Sequence, residues 1–275
     1  MSSNNSYIIP SSFEGVRLDK VLMEILPDSS LRFRRRLCDE NRVQVDGKSR
    51  KPGYKVLSAQ ELVIKGESRS MSYEQLGLSV VKTTGLFAAV FKPSGVHSAA
   101  ISGKDTPSVE SVLSELFPGT TPILLNRLDY LTSGLLAVAL NKDGEKAYQA
   151  MENAGEIKKF YIATIQGRLD GLVSIKNTLD TADRKKTRVM EEDDSDGRRW
   201  TVVEVLSHDH ESDTTQVRCL IMKGARHQIR AHLASIGHPI VGDPLYGEAA
   251  DEDVMLLHHQ RIEFVGFSAE IKAPF

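Results

Sequence analysis

At 275 residues, with 40% hydrophobic and 26% charged residues and a formal net charge of −2, the chain has an ordinary globular composition, and its length suits two domains of about 100 to 200 residues each. No apolar run approaches the roughly 20 residues of a membrane-spanning helix, Met1 to Tyr7 carry no basic-then-apolar leader, and Cys38 and Cys219 are too few and too far apart for a disulfide framework or a metal cluster. A membrane protein and a secreted disulfide scaffold are thereby excluded, and a cytoplasmic protein is expected.

A small first domain is expected over residues 13–66. Val16, Leu18, Val21, Leu22, Ile25 and Leu26 recur at helical spacing until Pro27 stops the pattern. Ser29 or Ser30 can cap a second helix, with Leu31 and Leu37 on its apolar side and Arg32, Arg34, Arg35 and Arg36 projecting outward. Val43 and Val45 alternate with polar residues into Asp46-Gly47, a hairpin-turn signal, and Lys55 to Ile64 continues with strand-like spacing. The net charge gives no global sign of nucleic-acid binding, but the charge is segregated. Between Arg32 and Lys65 ten Arg and Lys stand against four Asp and Glu. Either this is a merely soluble surface, or Arg34, Arg35 and Arg36 contact backbone phosphates. The sparse opposite-sign residues favour the phosphate reading.

Residues 67–77 are polar and serine-bearing and form the expected linker; residues 78–275 form the second domain. Leu86 to Phe91 is a short apolar run, a buried strand ending in the Lys92-Pro93-Ser94-Gly95 turn. Lys92 is either a solvated strand-end lysine or a phosphate contact. In Asn126-Arg127-Leu128-Asp129-Tyr130-Leu131-Thr132-Ser133-Gly134 one acid stands among apolar residues, so Asp129 is either a capping aspartate or a working acid with a cationic partner. Leu135 to Leu140 reads as a buried strand and Lys142 to Met151 as a helix. Phe160 to Ile165 has strand composition, and Tyr161 in it is either a core aromatic or a platform for an extruded base. Glu191 to Asp196 reads as a solvated acidic loop. Trp200 to Leu206 and Thr215 to Met222 read as further strands, and Leu256 to Phe267 as a closing one. Short strands in runs, rather than alternation with long helices, indicate an α+β fold. A helix opening at Gly224 and ended by Gly237 and Pro239 would put Arg226 and Arg230 on one face, each a natural partner for Asp129. His227, His232, His238, His258 and His259 lack zinc-site spacing and companion cysteines, so no metal is expected.

Several of these stretches, in order, resemble the RluA-type RNA pseudouridine synthases. Arg127-Leu128-Asp129 and Thr132-Ser133-Gly134 match the family's His-Arg-Leu-Asp-x-x-Thr-Ser-Gly motif, with Asn126 in the place of its histidine. Lys92-Pro93-x-Gly95 is similar to Asn-Lys-Pro-x-Gly, with Phe91 for asparagine, and Lys159-x-Tyr161-x-Ala163 to Lys-x-Tyr-x-Ala. His227-Gln228-Ile229-Arg230 ends the Gly-Arg-Thr-His-Gln-Ile-Arg pattern, with Ala225-Arg226 replacing Arg-Thr, and residues 237–247 match its continuation. Arg17-Leu18-Asp19-Lys20, the Arg-rich helix and Val43-x-Val45-Asp46-Gly47-Lys48 resemble an S-four-type RNA-binding domain.

The resemblance implies a mixed, mainly antiparallel catalytic domain behind a small RNA-binding domain, acting on ribosomal or transfer RNA without cofactor; separately, a monomer is expected. It implies that Asp129, Tyr161 and Arg230 are catalytic, Arg230 orienting Asp129, and that Arg127 fills the place of a flipped uridine. Asp129 would act as nucleophile or base at the sugar or the ring. A non-catalytic RNA-binding protein of the same fold, or a nucleoside or glycoside hydrolase using Asp129, are the competing classes. The hydrolase would require a second carboxylate, for which no motif provides an obvious candidate.

Overall fold

The computed structural model describes residues 5–27, 29–64, 71–101, 106–183, 185–247 and 254–275. The chain divides into one compact unit up to residue 70 and another comprising 71–101 and 106–275. Among the described residues no helix is long and apolar enough to cross a membrane.

In the first unit the expected helices run over Leu18–Ile25 and Leu31–Asp39, the second capped by Ser30, whose Oγ accepts from the Phe33 amide at 3.2 Å. They cover a four-stranded antiparallel sheet in the order Asn5–Ile8, Glu61–Ile64, Val43–Val45, Lys48–Ser49. Asp46 and Gly47, both at positive φ, make the tight turn between the last two. Leu18, Val21, Leu22, Leu37, Val43, Val45 and Leu62 close the core. Two expectations are corrected here. The strand over Lys55 to Ile64 shrinks to Glu61–Ile64, because Lys51 to Gln60 is largely turns. Leu31 is exposed rather than apolar-packed. The Ser/Asn-rich start also hides a strand, anchored by the buried Ile9 just beyond it.

The second unit is built on a ten-stranded sheet. Its main order is Leu172–Ile175, Thr201–Asp209, Thr214–Ile221, Lys158–Gln166, Leu257–Phe264, Ser133–Ala139, Phe87–Lys92, Ser79–Thr83, with Phe267–Glu270 and Ile123–Leu124 as side branches. Its described pairings are antiparallel except that of Leu257–Phe264 with Ser133–Ala139, which is parallel through His258–Ser133 and His259–Gly134. Ser133–Ala139 is buried at every position because both of its faces are covered, which explains its unbroken apolar sequence. On one face lie Leu136, Val138, Tyr161, Ile229 and Leu233; on the other lie Leu135, Ala137, Tyr148, Ile262 and Phe264. The fold is thus α+β with a mainly antiparallel sheet.

The helix Lys142–Ala154 starts at Asn141, whose side chain accepts from the Gly144 amide, and ends at left-handed Gly155. Of the expected linker, residues 67–70 lie outside the described residues. Beyond them, 73–77 form turns whose Leu76 is buried in the larger core. The acidic run is not a loop throughout: Arg188–Asp193 is an exposed strand paired with Asn177–Asp180 in a separate hairpin. The expected single closing strand is two, Leu257–Phe264 and Phe267–Glu270, folded back at Gly266.

Candidate active site

Asp129 sits in the connection between Ile123–Leu124 and Ser133–Ala139, and the turn after Phe87–Lys92 holds that connection from below. Ser98 Oγ donates to the Leu128 carbonyl at 2.8 Å and accepts from the Leu128 amide at 2.9 Å. Ser94 Oγ donates to the Leu131 carbonyl at 2.8 Å, the Gly95 amide to the Tyr130 carbonyl at 2.8 Å, and the Thr132 amide to the Asp129 carbonyl at 3.1 Å. Asn126 Oδ1 accepts from the Ala137 amide at 2.6 Å. Buried Leu128 pins the loop while Asp129 is left partly open. The Thr-Ser-Gly sequence has its own reasons. Ser133 Oγ lies 2.8 Å from His258 Nδ1. Gly134, at φ +117°, runs so close to the neighbouring strand that a Cβ there would stand 2.3 Å from the His259 carbonyl oxygen.

The partner of Asp129 is Arg230, in the helix Gln228–Ser235. Its Nη1 donates to Asp129 Oδ2 at 2.8 Å. Its other edge is taken by Asp243, which accepts from Nε at 2.7 Å and from Nη2 at 2.8 Å. Burial works to lower the Arg230 pKa, but the hydrogen bonds it donates to Asp243 and Asp129 outweigh it and raise the guanidinium above its ordinary value. Burial likewise works to raise the Asp243 carboxyl, but Arg230 and the Leu245 and Tyr246 amides hold it below the usual range. Asp243 was assigned no role from the sequence. Its one sequence signal was its place in the 237–247 stretch that matches the family's continuation.

Arg226 does not share the face of Arg230. His227 adopts a left-handed conformation (φ 55°) and the helix starts only at Gln228, so Arg226 leaves the register and donates to the carbonyls of Thr181 and Asp183. His227 Nε2 is 3.9 Å from Asp129 Oδ1, and burial lowers the pKa of its ring. Its Nδ1 is 3.2 Å from the Tyr246 hydroxyl.

A cleft of about 560 Å³ opens beside these groups, lined by Arg127, Asp129, Tyr161, Ile221 and His227 among others. Arg127 is exposed there. Tyr161, in Lys158–Gln166, is buried among the core residues while still reaching the cleft. Burial first, and the Asp129 charge second, push its hydroxyl pKa up, so it is a neutral phenol.

Two expectations about cations are overturned. Lys92 is no phosphate contact. It is fully buried, and its ammonium donates to the carbonyls of Val96 (2.8 Å), Pro93 (2.9 Å) and Tyr130 (3.3 Å). It therefore ties the Lys-Pro turn to the Asp129 loop. Burial pushes its pKa down to about 7, with Asp129 acting the other way. Nor do the helix arginines of the first unit form one outward cationic face. Arg34 is buried and donates to the Asp19 carbonyl at 3.0 Å and to the Ser29 carbonyl. Arg35 binds the buried Asp19 carboxylate at 2.8 Å while half exposed. Arg36 lies over the Phe33 ring and 3.7 Å from Glu40. The side chain of Arg32, and Lys65, lie outside the described residues. Opposite-sign pairing is therefore common on this surface, with Arg17–Asp19 and Lys51–Asp39 adding to it.

The fold and the aspartate–arginine cleft define a class that comparison with known proteins identifies. The RNA pseudouridylate synthase family model matches residues 87–235, more than half of the chain, and the S4 domain model matches 16–62. The chain belongs to the RNA pseudouridylate synthase family and is an RNA pseudouridine synthase, an isomerase carrying an S4 domain.

Among individual relatives, it is 34% identical over 163 residues to the dual-specificity RNA pseudouridine synthase RluA of Yersinia pestis, covering 57% of this chain and 76% of that one. It is 26% identical over 254 residues to the ribosomal large subunit pseudouridine synthase D of Nitrosomonas europaea, covering 89% of this chain and 72% of that one. The solved structure of human RNA pseudouridylate synthase domain containing 1 is 26% identical, with a TM-score of 0.56 over 72% of this chain and 83% of that one.

Proposed function

We propose that this protein isomerises uridine in ribosomal RNA, with Asp129, Arg230 and Tyr161 as its catalytic residues and Arg127 helping to hold the position the uridine vacates. The observation that carries the reading is the Arg230–Asp129 ion pair beside a cleft that also holds Tyr161. Relatives aligned over both units include several named for the ribosomal large subunit, which favours ribosomal over transfer RNA. The S4 domain, taken as residues 13–66 joined by 67–77 to the catalytic domain, supplies sequence-independent affinity. Arg35 is the expected contact that keeps an exposed guanidinium face. The protein acts as a cytoplasmic monomer.

In this mechanism the uridine leaves its helix or loop and enters the cleft. The bond from ring nitrogen 1 to ribose carbon 1 breaks, the ring turns, carbon 5 bonds to the same ribose carbon, the carbon 5 proton departs, and the released nitrogen 1 takes up a proton in its place. Asp129 acts on the sugar or the ring as nucleophile or base, kept ionised and aimed by Arg230. The neutral Tyr161 supports the ring and takes the carbon 5 proton as its own hydroxyl proton passes on to a neighbouring acceptor.

The test is tritium release from carbon-5-labelled uridine in unmodified ribosomal RNA and in transfer RNA, with wild type and Asp129→Asn. Release from ribosomal RNA alone, abolished by the substitution, is expected. Release from transfer RNA alone would overturn the substrate, and release by Asp129→Asn at the wild-type rate would overturn the site.

A further inference from the structure

The strand Leu257–Phe264 meets two strands at one residue. His259 pairs in parallel with Gly134, at the end of the Asp129 loop, and in antiparallel register with Tyr161. Its ring is fully buried and lies nearly flat on the Tyr161 ring, with centroids 4.4 Å apart and planes inclined by 16°. Its Nδ1 is 2.5 Å from the Leu135 carbonyl oxygen, so Nδ1 carries a proton and the ring is tied to the strand that follows Asp129. Gly134 has no side chain because the His259 backbone occupies that space. Beyond His259 the register shifts by a bulge before Arg261, a device that re-aims a side chain beside a site. Tyr161 lines the cleft and His259 does not, so the imidazole backs the tyrosine from the protein interior.

We propose that His259 is a positioning residue for the isomerisation: stacked behind Tyr161 and anchored on Leu135, it fixes the plane of the tyrosine ring relative to Asp129. A tyrosine on a strand can rotate about its side-chain torsions, and proton transfer from carbon 5 requires its oxygen within hydrogen-bond reach of the ring. A flat, buried partner anchored to the loop strand removes that freedom and makes the two reacting side chains share one support. The hydrogen bond to Leu135 holds the histidine, and the stack passes that support to the tyrosine ring. This inference rests on the reading of Tyr161 as the group that takes the carbon 5 proton.

The experiment uses the full-length protein under single turnover on the RNA class that the wild type modifies, made with protium or deuterium at carbon 5 of uridine. Four variants are compared with the wild type: His259→Ala, His259→Gln, His259→Phe and Tyr161→Phe. His259→Ala removes ring and donor, His259→Gln keeps a donor without a ring, and His259→Phe keeps a ring without a donor. Expected are a fall in rate of between about tenfold and a hundredfold for Ala and Gln, each with an isotope effect larger than the wild type's, and recovery of both by Phe. The isotope effect is a property of the molecules that react, so a partly unfolded preparation does not imitate it. A rate fall with an unchanged isotope effect, or no fall at all, would overturn the positioning role. Activity retained by Tyr161→Phe would overturn the reading of Tyr161 itself, whereas its loss beside a normal His259→Ala would overturn only the role of His259.

Discussion

The two units each contain a cluster of aspartate and arginine, and the clusters are inverted. In the S4 domain one carboxylate serves two cations: Asp19, its side chain 1% exposed, is gripped by Arg17 and Arg35, which are 44% and 50% exposed. In the catalytic domain one cation serves two carboxylates: Arg230, 7% exposed, is held by the fully buried Asp243 and holds Asp129, which is 27% exposed. A carboxylate enclosed by donors has its oxygens engaged and acts as a fastener. A guanidinium whose Nε–Nη2 edge is saturated by a buried acid cannot swing, and it presents its remaining Nη1 to a second acid that still faces a cleft. The same residue types thus build a structural clasp in one place and a directed reagent in the other. The deciding feature is which partner is buried.

Removing the directed reagent is expected to have the largest effect. Asp129→Asn keeps the shape of the side chain and loses its charge, and a loss of about a thousandfold or more in single-turnover rate is expected, with RNA affinity and melting temperature nearly unchanged. Arg230→Met breaks a buried ion pair and strands Asp243. It should cost about 3 to 5 kcal/mol in denaturant unfolding as well as abolish turnover, so stability and activity fall together, in contrast to Asp129→Asn.

Lys92→Met comes next. Three carbonyls lose their donor, so a loss of about 2 to 3 kcal/mol is expected, together with a slower reaction through a loosened Asp129 loop. The salt dependence of RNA binding should stay at the wild-type slope, since Lys92 touches no phosphate; a shallower slope would reinstate it as a contact.

The clasp should show itself in acid. The Arg17 hydrogen bond, opposed by burial and aided by Arg35, lowers the Asp19 pKa to about 2. Its contribution to stability is therefore complete above the ordinary carboxylate value of about 4 and is lost as the pH falls from there towards 2. Asp19→Asn should flatten the acid limb of S4-domain unfolding over that window. It should leave the rate of the chemical step unchanged at saturating RNA.

What was legible in the sequence follows from the kind of signal each feature leaves. Ser133–Ala139 announces itself because burial on both faces demands an unbroken apolar run, the first helix because its apolar residues recur every three or four positions, and the second because a serine can cap it. Asp129 could be singled out because an acid among leucines needs a partner, and Arg230 was among the cations that could reach it. The directions taken by Lys92 and Arg34 left no such trace. A cation's sequence position says nothing about whether carbonyls will converge on it, and their acceptors include Tyr130, 38 residues from Lys92, and Asp19, 15 from Arg34. Exposed Arg188–Asp193 has no apolar alternation to betray a strand. His259 was one histidine among five until the meeting of three strands put it against Tyr161.

The most direct test of the inverted-cluster account is the single-turnover rate of Asp243→Asn, measured with its unfolding curve. Asp243 is fully buried behind Arg230 and is absent from the residues lining the cleft. A folded protein that binds RNA normally but reacts about a hundredfold more slowly is expected, because Arg230 is no longer held to aim Asp129. A folded Asp243→Asn enzyme that reacts at the wild-type rate would contradict it.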